Sequence, residues 1–236
     1  MAGLTDPHEM ICESITLRLS RAKGATLIGF VLVTQIAFWF FGAPGPQLFH
    51  ERNLPNAQIS CCFAVLLLAV IPAIVWVGLA GQRLESSGLR FGDAKMGLKI
   101  LACCMPIMLL GTWIGTRNPQ IRAYYPVPGD SIVNTNRDIL IWFAFYLAYY
   151  IAYEWFYRCF LVKSLRLATG LDIWPAILIQ AFFCCFVHIG KPNMELIASF
   201  PASILFGWIA WRTKSIWYGV ILHFGIGIVN DLGSIH

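Results

Sequence analysis

Charge is what this sequence lacks most. Asp, Glu, Lys and Arg make up 12% of its 236 residues, about half of the ~25% usual in soluble domains. With 58% hydrophobic residues, it holds more apolar mass than a core of this size can hide. A soluble enzyme, a disordered chain and a small disulfide scaffold are excluded. Also missing is any CxxC or Cys/His spacing suited to zinc. The eight cysteines include Cys61-Cys62, Cys103-Cys104 and Cys184-Cys185. All three pairs fall inside apolar runs, where cysteine packs as a small hydrophobe. The first 23 residues are too polar for a secretory signal. They read as an amphipathic surface helix, with Leu17, Arg18, Leu19 and Arg21 leading into the first apolar run.

What the chain does have is apolar runs, seven of them, near 24–42, 58–81, 96–116, 138–162, 173–190, 195–211 and 215–233. A membrane helix needs about 20 apolar residues, and in lipid only helices or closed barrels satisfy their backbone. Runs of this length without alternation are helical. The expected fold is an all-α polytopic membrane bundle of about seven spans, six to eight, in one integral membrane domain over 1–236. Polar connectors rich in Gly and Pro separate the runs, the longest at 117–137. The net charge of +5 belongs to these connectors rather than to nucleic-acid binding. The N-terminus and the connectors after spans two, four and six carry 11 Lys/Arg, the opposite set 5, which predicts a cytoplasmic N-terminus.

Ionisable residues within apolar runs are expensive and therefore candidate functional groups. Glu154 and Arg158 lie four apart on one helical face, within ion-pair reach; they are either a self-neutralising pair or part of a site. His188 closes the run IQAFFCCFVH. If the chain turns near Gly170, Glu154 sits 16 residues before the turn and His188 18 after it, at similar depth. A carboxylate beside an imidazole can share and move a proton. His223 sits in the last run, with Gly225, Gly227, Asn230 and Asp231 beyond it; a packed histidine held by Asn230 or Asp231 is the plain alternative. There is no HExxH, no GxGD and no Gly-x-Ser context for an intramembrane serine. Two histidines and a carboxylate leave a metal site open at this point.

These residues resemble the CAAX-processing and bacteriocin-processing (CPBP, or Abi) intramembrane glutamic endopeptidases, whose pattern is Glu-Glu-x-x-x-Arg, Phe-x-x-x-His and His-x-x-x-Asn on successive helices. Here the motifs read Tyr153-Glu154-Trp155-Phe156-Tyr157-Arg158, then Cys184-Cys185-Phe186-Val187-His188, then His223 with Gly227 in place of Asn. Arg212-Thr213-Lys214-Ser215-Ile216-Trp217, leading into Leu222-His223, is also similar. The likeness covers 138–233, the expected catalytic core. Tyr153 replaces the first glutamate, the one usually assigned to water activation, and Cys184 replaces the phenylalanine.

The resemblance implies a non-covalent hydrolase without metal or organic cofactor, acting on membrane-associated or prenylated-type peptide substrates in the bilayer. A multi-pass protein of a prokaryotic cell membrane is the expected setting. Glu154 and His188 are expected to activate the water, and His223, with Asn230 or Asp231, to meet the oxyanion. Arg158 would support Glu154, and Glu195, returned by the short Gly190–Met194 turn, would stand in for the missing acid. The competing readings are a CPBP-like scaffold or immunity-type protein without catalysis, and a proton-coupled transporter using Glu154 and the histidines as a relay. A transporter is expected to show repeated halves, which this sequence does not.

Overall fold

The computed structural model describes residues 19–42 and 51–235, so the surface helix expected over 1–23 lies almost wholly outside the described residues. Among these residues there is no strand. Five helices are long and apolar enough to cross a membrane: α1 (Arg21–Gly42), α2 (Leu54–Gly78), α3 (Ala94–Gly115), α5 (Asn136–Thr169) and α7 (Asn193–Thr213). Between α3 and α5 lies the short α4 (Pro119–Tyr124). The bundle is completed by α6 (Ile173–Phe186) and α8 (Trp217–Gly233). The seven apolar runs thus become seven apolar helices in the expected order, and the protein is a multi-pass helical membrane bundle.

Two lengths differ from expectation. The run at 173–190 is helical only to Phe186. Its 14 residues cover about 21 Å at 1.5 Å per residue, short of a ~30 Å hydrocarbon core. The chain turns because Gly190 takes a left-handed φ of 96° and Pro192 cannot continue a helix. In contrast, the fourth run continues past 162 to Thr169, where Gly170 at φ 76° caps it. Helix starts follow local chemistry. Ser20, Asn53, Asp93 and Thr135 each accept a hydrogen bond from a first-turn backbone N–H.

Antiparallel helices give the bundle two ends. At the near end, where α1 starts, the Asp93 N–H donates to Thr213 O at 2.8 Å and the Ile216 N–H to Gly88 O at 3.0 Å. There Gly24 of α1 lies close against Ala168 at the end of α5. At the far end, Trp39 Nε1 donates to Ile189 O at 3.3 Å. The 117–135 connector is strapped across this end. Arg52 donates to Ala123 O and Tyr124 O at 2.8 and 2.7 Å, and Ser131 Oγ accepts from Leu54 N. Asp231 accepts from Val127 N at 3.0 Å and from Trp142 Nε1 at 2.6 Å. The fully buried Asp231 therefore has both oxygens engaged in holding the strap and α5. It is not placed beside His223, contrary to the expectation that it supports that ring.

Candidate active site

Helix α5 departs from α geometry directly after Glu154: residues Trp155–Leu161 form a π-helical stretch. Such stretches concentrate at functional sites because they re-aim side chains within an otherwise continuous helix. Here Arg158 folds back on Glu154, with Nε on Oε2 at 2.9 Å and Nη2 on Oε1 at 3.2 Å. The paired geometry suits a guanidinium and a carboxylate. Glu154 is fully buried, and a charge so placed persists only with partners. Its second partner is His223 of α8, whose Nδ1 lies 2.7 Å from Oε1. A carboxylate accepts, so Nδ1 carries the proton and donates. Gly219, one turn before His223, leaves room for this: a Cβ there would sit 2.9 Å from Glu154 Oε2. Tyr150, Tyr153 and Phe206 wall in the imidazole, with ring centroids at 4.5, 5.3 and 5.4 Å.

His188 is held differently. Its Nδ1 lies 2.6 Å from the backbone oxygen of Cys184. A carbonyl only accepts, so here too Nδ1 carries the proton. That leaves Nε2 facing Glu195 Oε1 at 3.7 Å. The Gly190 turn has brought the start of α7 back onto the end of α6. Glu195 is itself positioned on both oxygens: Lys191 Nζ donates to Oε1 at 2.7 Å and the Tyr125 hydroxyl to Oε2 at 2.9 Å. Burial, followed by the charge on Glu195, pushes the Tyr125 phenol well above its ordinary pKa, so it stays a donor.

Both groups meet at one cavity of about 320 Å³. His188, His223, Glu195, Arg158 and Asn230 line it, together with Tyr125, Tyr150 and Tyr153. Helix α3 supplies a further wall through Met108, Gly111, Thr112 and Gly115, which lies outside the 138–233 core expected from the motifs. Glu154 is not among the lining residues; it stands one layer behind, reached through Arg158 and His223. No hydrogen bond joins Glu154 to His188. The two helices meet instead at Cys184, whose sulfur faces Tyr153 Oη at 3.3 Å, Arg158 Nη1 at 3.3 Å and Gln180 Nε2 at 3.4 Å. The expected pairing of Glu154 with His188 is thus replaced by two others, Glu154 with His223 and Glu195 with His188.

The motif departures become physically coherent. Tyr153 and Cys184 touch, so the small sulfur side chain accommodates the tyrosine that stands in place of glutamate. A Cβ on Gly227 would fall 2.8 Å from Tyr150 Cε2, so the ring of Tyr150 fills the space of the motif asparagine. Among the described residues no group of three or more His, Cys, Asp or Glu side chains is arranged to hold a metal ion.

Residues 135–229 match the family model described as type II CAAX prenyl endopeptidase Rce1-like. Over this stretch the chain is similar to the Rce1-like family. No curated protein and no solved structure matches it. The Rce1-like region takes in α5 through most of α8, and with them Glu154, Arg158, His188, Glu195 and His223. The family so described is one of endopeptidases. Tyr125 lies outside the Rce1-like region and carries no motif signal; only the strap brings it to Glu195. Its loss is therefore informative. Tyr125→Phe should leave the protein folded and KM for a peptide little changed, while kcat falls roughly 10- to 100-fold as one hydrogen bond to a charged group, ~1.5–3 kcal/mol, is removed. An unchanged kcat would show that Glu195 needs no help from the strap.

Proposed function

We propose that the chain hydrolyses internal peptide bonds of membrane-associated polypeptides at this cavity, with Glu195 and His188 holding and deprotonating the attacking water. The carrying observation is that Glu195 Oε1 and His188 Nε2 face one another across 3.7 Å in the wall of the cavity. Two acceptors at that separation orient a water by both of its protons. One proton passes to the pair as the water oxygen bonds to the substrate carbonyl carbon. The same proton is returned to the amide nitrogen as the C–N bond breaks.

His223 is assigned to the carbonyl oxygen. Its ring is held at the cavity floor by Glu154 through Nδ1, which orients it toward the charge developing on that oxygen. Arg158 and Glu154 then act from behind, fixing the imidazole and the local charge. Glu195 occupies the chemical role vacated where Tyr153 replaces glutamate. Asp231 has its bonds in the strap and takes no part.

The test uses the purified protein in lipid vesicles with a membrane-spanning peptide, products being read by mass spectrometry. Hydrolysis is expected to continue in EDTA and after treatment with serine- or cysteine-directed reagents, because the proposed step uses neither a bound metal nor a serine or cysteine nucleophile. Loss of activity in EDTA with recovery on adding zinc would move the chemistry to a metal held by the two histidines. A folded, inserted protein that cleaves no membrane peptide would favour the scaffold reading.

A further inference from the structure

The bundle's two ends differ in charge, and the cavity belongs to one of them. At the near end lie the start of α1, the α2–α3 connector with the first turns of α3, the end of α5 with the α5–α6 connector, and the end of α7 with the α7–α8 connector. Among the described residues these hold ten Lys/Arg against three acids, Glu85, Asp93 and Asp172. The far end holds five Lys/Arg against five acids. Two of those five cations have local duties there: Arg52 ties down the strap, and Lys191 pairs with Glu195. Excess Lys/Arg marks the side of a membrane protein that stays in the cytoplasm. The near end is therefore the cytoplasmic one.

The cavity opens at the other. Gly115 ends α3, Met194 is the second residue of α7, and Asn230 lies three residues before the end of α8; with Ile121 and Tyr125 of the strap, all line the cavity. Arg158, Phe206 and His223 form its deep floor. The rim residues Gly111, Met194 and Ala198 are exposed, so the mouth lies between α3 and α7. Ala198 is five residues into α7, roughly 7.5 Å from its start at 1.5 Å per residue. In a ~30 Å core the mouth thus faces the lipid of the outer third, next to the far end.

We propose that this site is entered from the non-cytoplasmic leaflet, and that its substrates are apolar polypeptide segments whose scissile bond lies near that face. The inference rests on the hydrolytic reading of the cavity for its substrate class and on charge and geometry alone for its direction. A lipidated C-terminal tail displayed at the cytoplasmic face would have to cross most of the bilayer to reach His188 and Glu195. Such prenylated tails are therefore poor substrates for this chain.

Intact bacterial cells producing the full chain provide the test. Asn193→Cys places a thiol at the exposed start of α7, and Lys95→Cys places one at the exposed start of α3. A membrane-impermeant maleimide should label Asn193→Cys from outside, and Lys95→Cys only after permeabilisation, each read above the unsubstituted chain. Asn134→Cys, in the far-end connector, repeats the measurement if Asn193→Cys fails to insert. The reverse pattern, or equal labelling of both ends in intact cells, overturns the proposal and leaves the endopeptidase reading standing. Outside labelling of α7 without hydrolysis of any membrane peptide overturns the hydrolytic reading, and with it the substrate class, while the orientation stands.

Discussion

Glu195→Gln is expected to lower peptide hydrolysis by about 10²–10⁴-fold, the usual loss when a general base is removed, with the protein still folded and inserted. Gln keeps the carbonyl oxygen that accepts from Tyr125 but cannot take a proton. Lys191 loses its charge partner; with side chains 13% and 19% exposed, the cost falls between the ~0–1 kcal/mol of a surface pair and the ~3–5 kcal/mol of a fully buried one. Turnover of a vesicle-bound peptide and the detergent melting temperature, measured together, check the claim. Activity within a few-fold of the parent would remove Glu195 from the proton transfer and return that role to Glu154.

Glu154→Gln should fail in a different way, losing stability as well as turnover. The substitution leaves the Arg158 guanidinium, with side-chain exposure of only 1%, without a compensating charge. It also presents an amide N–H₂ to a guanidinium or an imidazole that needs an acceptor. Breaking a buried pair from one side costs about 3–5 kcal/mol. The double variant Glu154→Gln with Arg158→Gln restores charge balance and should recover most of that stability. Turnover should stay low, because His223 still lacks the carboxylate that orients its ring. Recovery of activity along with stability in the double variant would reduce Glu154 to a structural ion pair, as a scaffold requires.

The contrast between these two carboxylates shows which features were legible in the residues. The apolar runs specified the helices because backbone groups in lipid have no partner but each other. Charges inside those runs singled out Glu154, Arg158, His188 and His223, since each is costly unless it is used or paired. Spacing of four residues carried the Glu154–Arg158 pair correctly, and the short turn after His188 pointed to Glu195. Run length was less reliable at 173–190, where an apolar composition continues through a turn made by Gly190 and Pro192.

Partner choice between helices was decided only in three dimensions. Sequence spacing gives a residue its height along a helix and its face, but not the rotation of that helix against its neighbours. Equal height suggested that Glu154 would meet His188. The π-helical turn after Glu154 and the absence of a side chain at Gly219 direct it to His223 instead. Asn230 and Asp231 are neighbours in the chain, yet one lines the cavity and the other pins Val127 and Trp142, because successive residues on a helix point about 100° apart. Tyr125 had no signal at all: it reaches Glu195 across 70 residues through a strap whose path is set by Arg52, Ser131 and Asp231. Composition and periodicity by themselves determined a helical membrane bundle and the residue types of its site. Which carboxylate faces the cavity and which stands behind it was decided by tertiary packing, because hydrogen bonds and ion pairs form over about 3 Å, a distance that no one-dimensional pattern resolves.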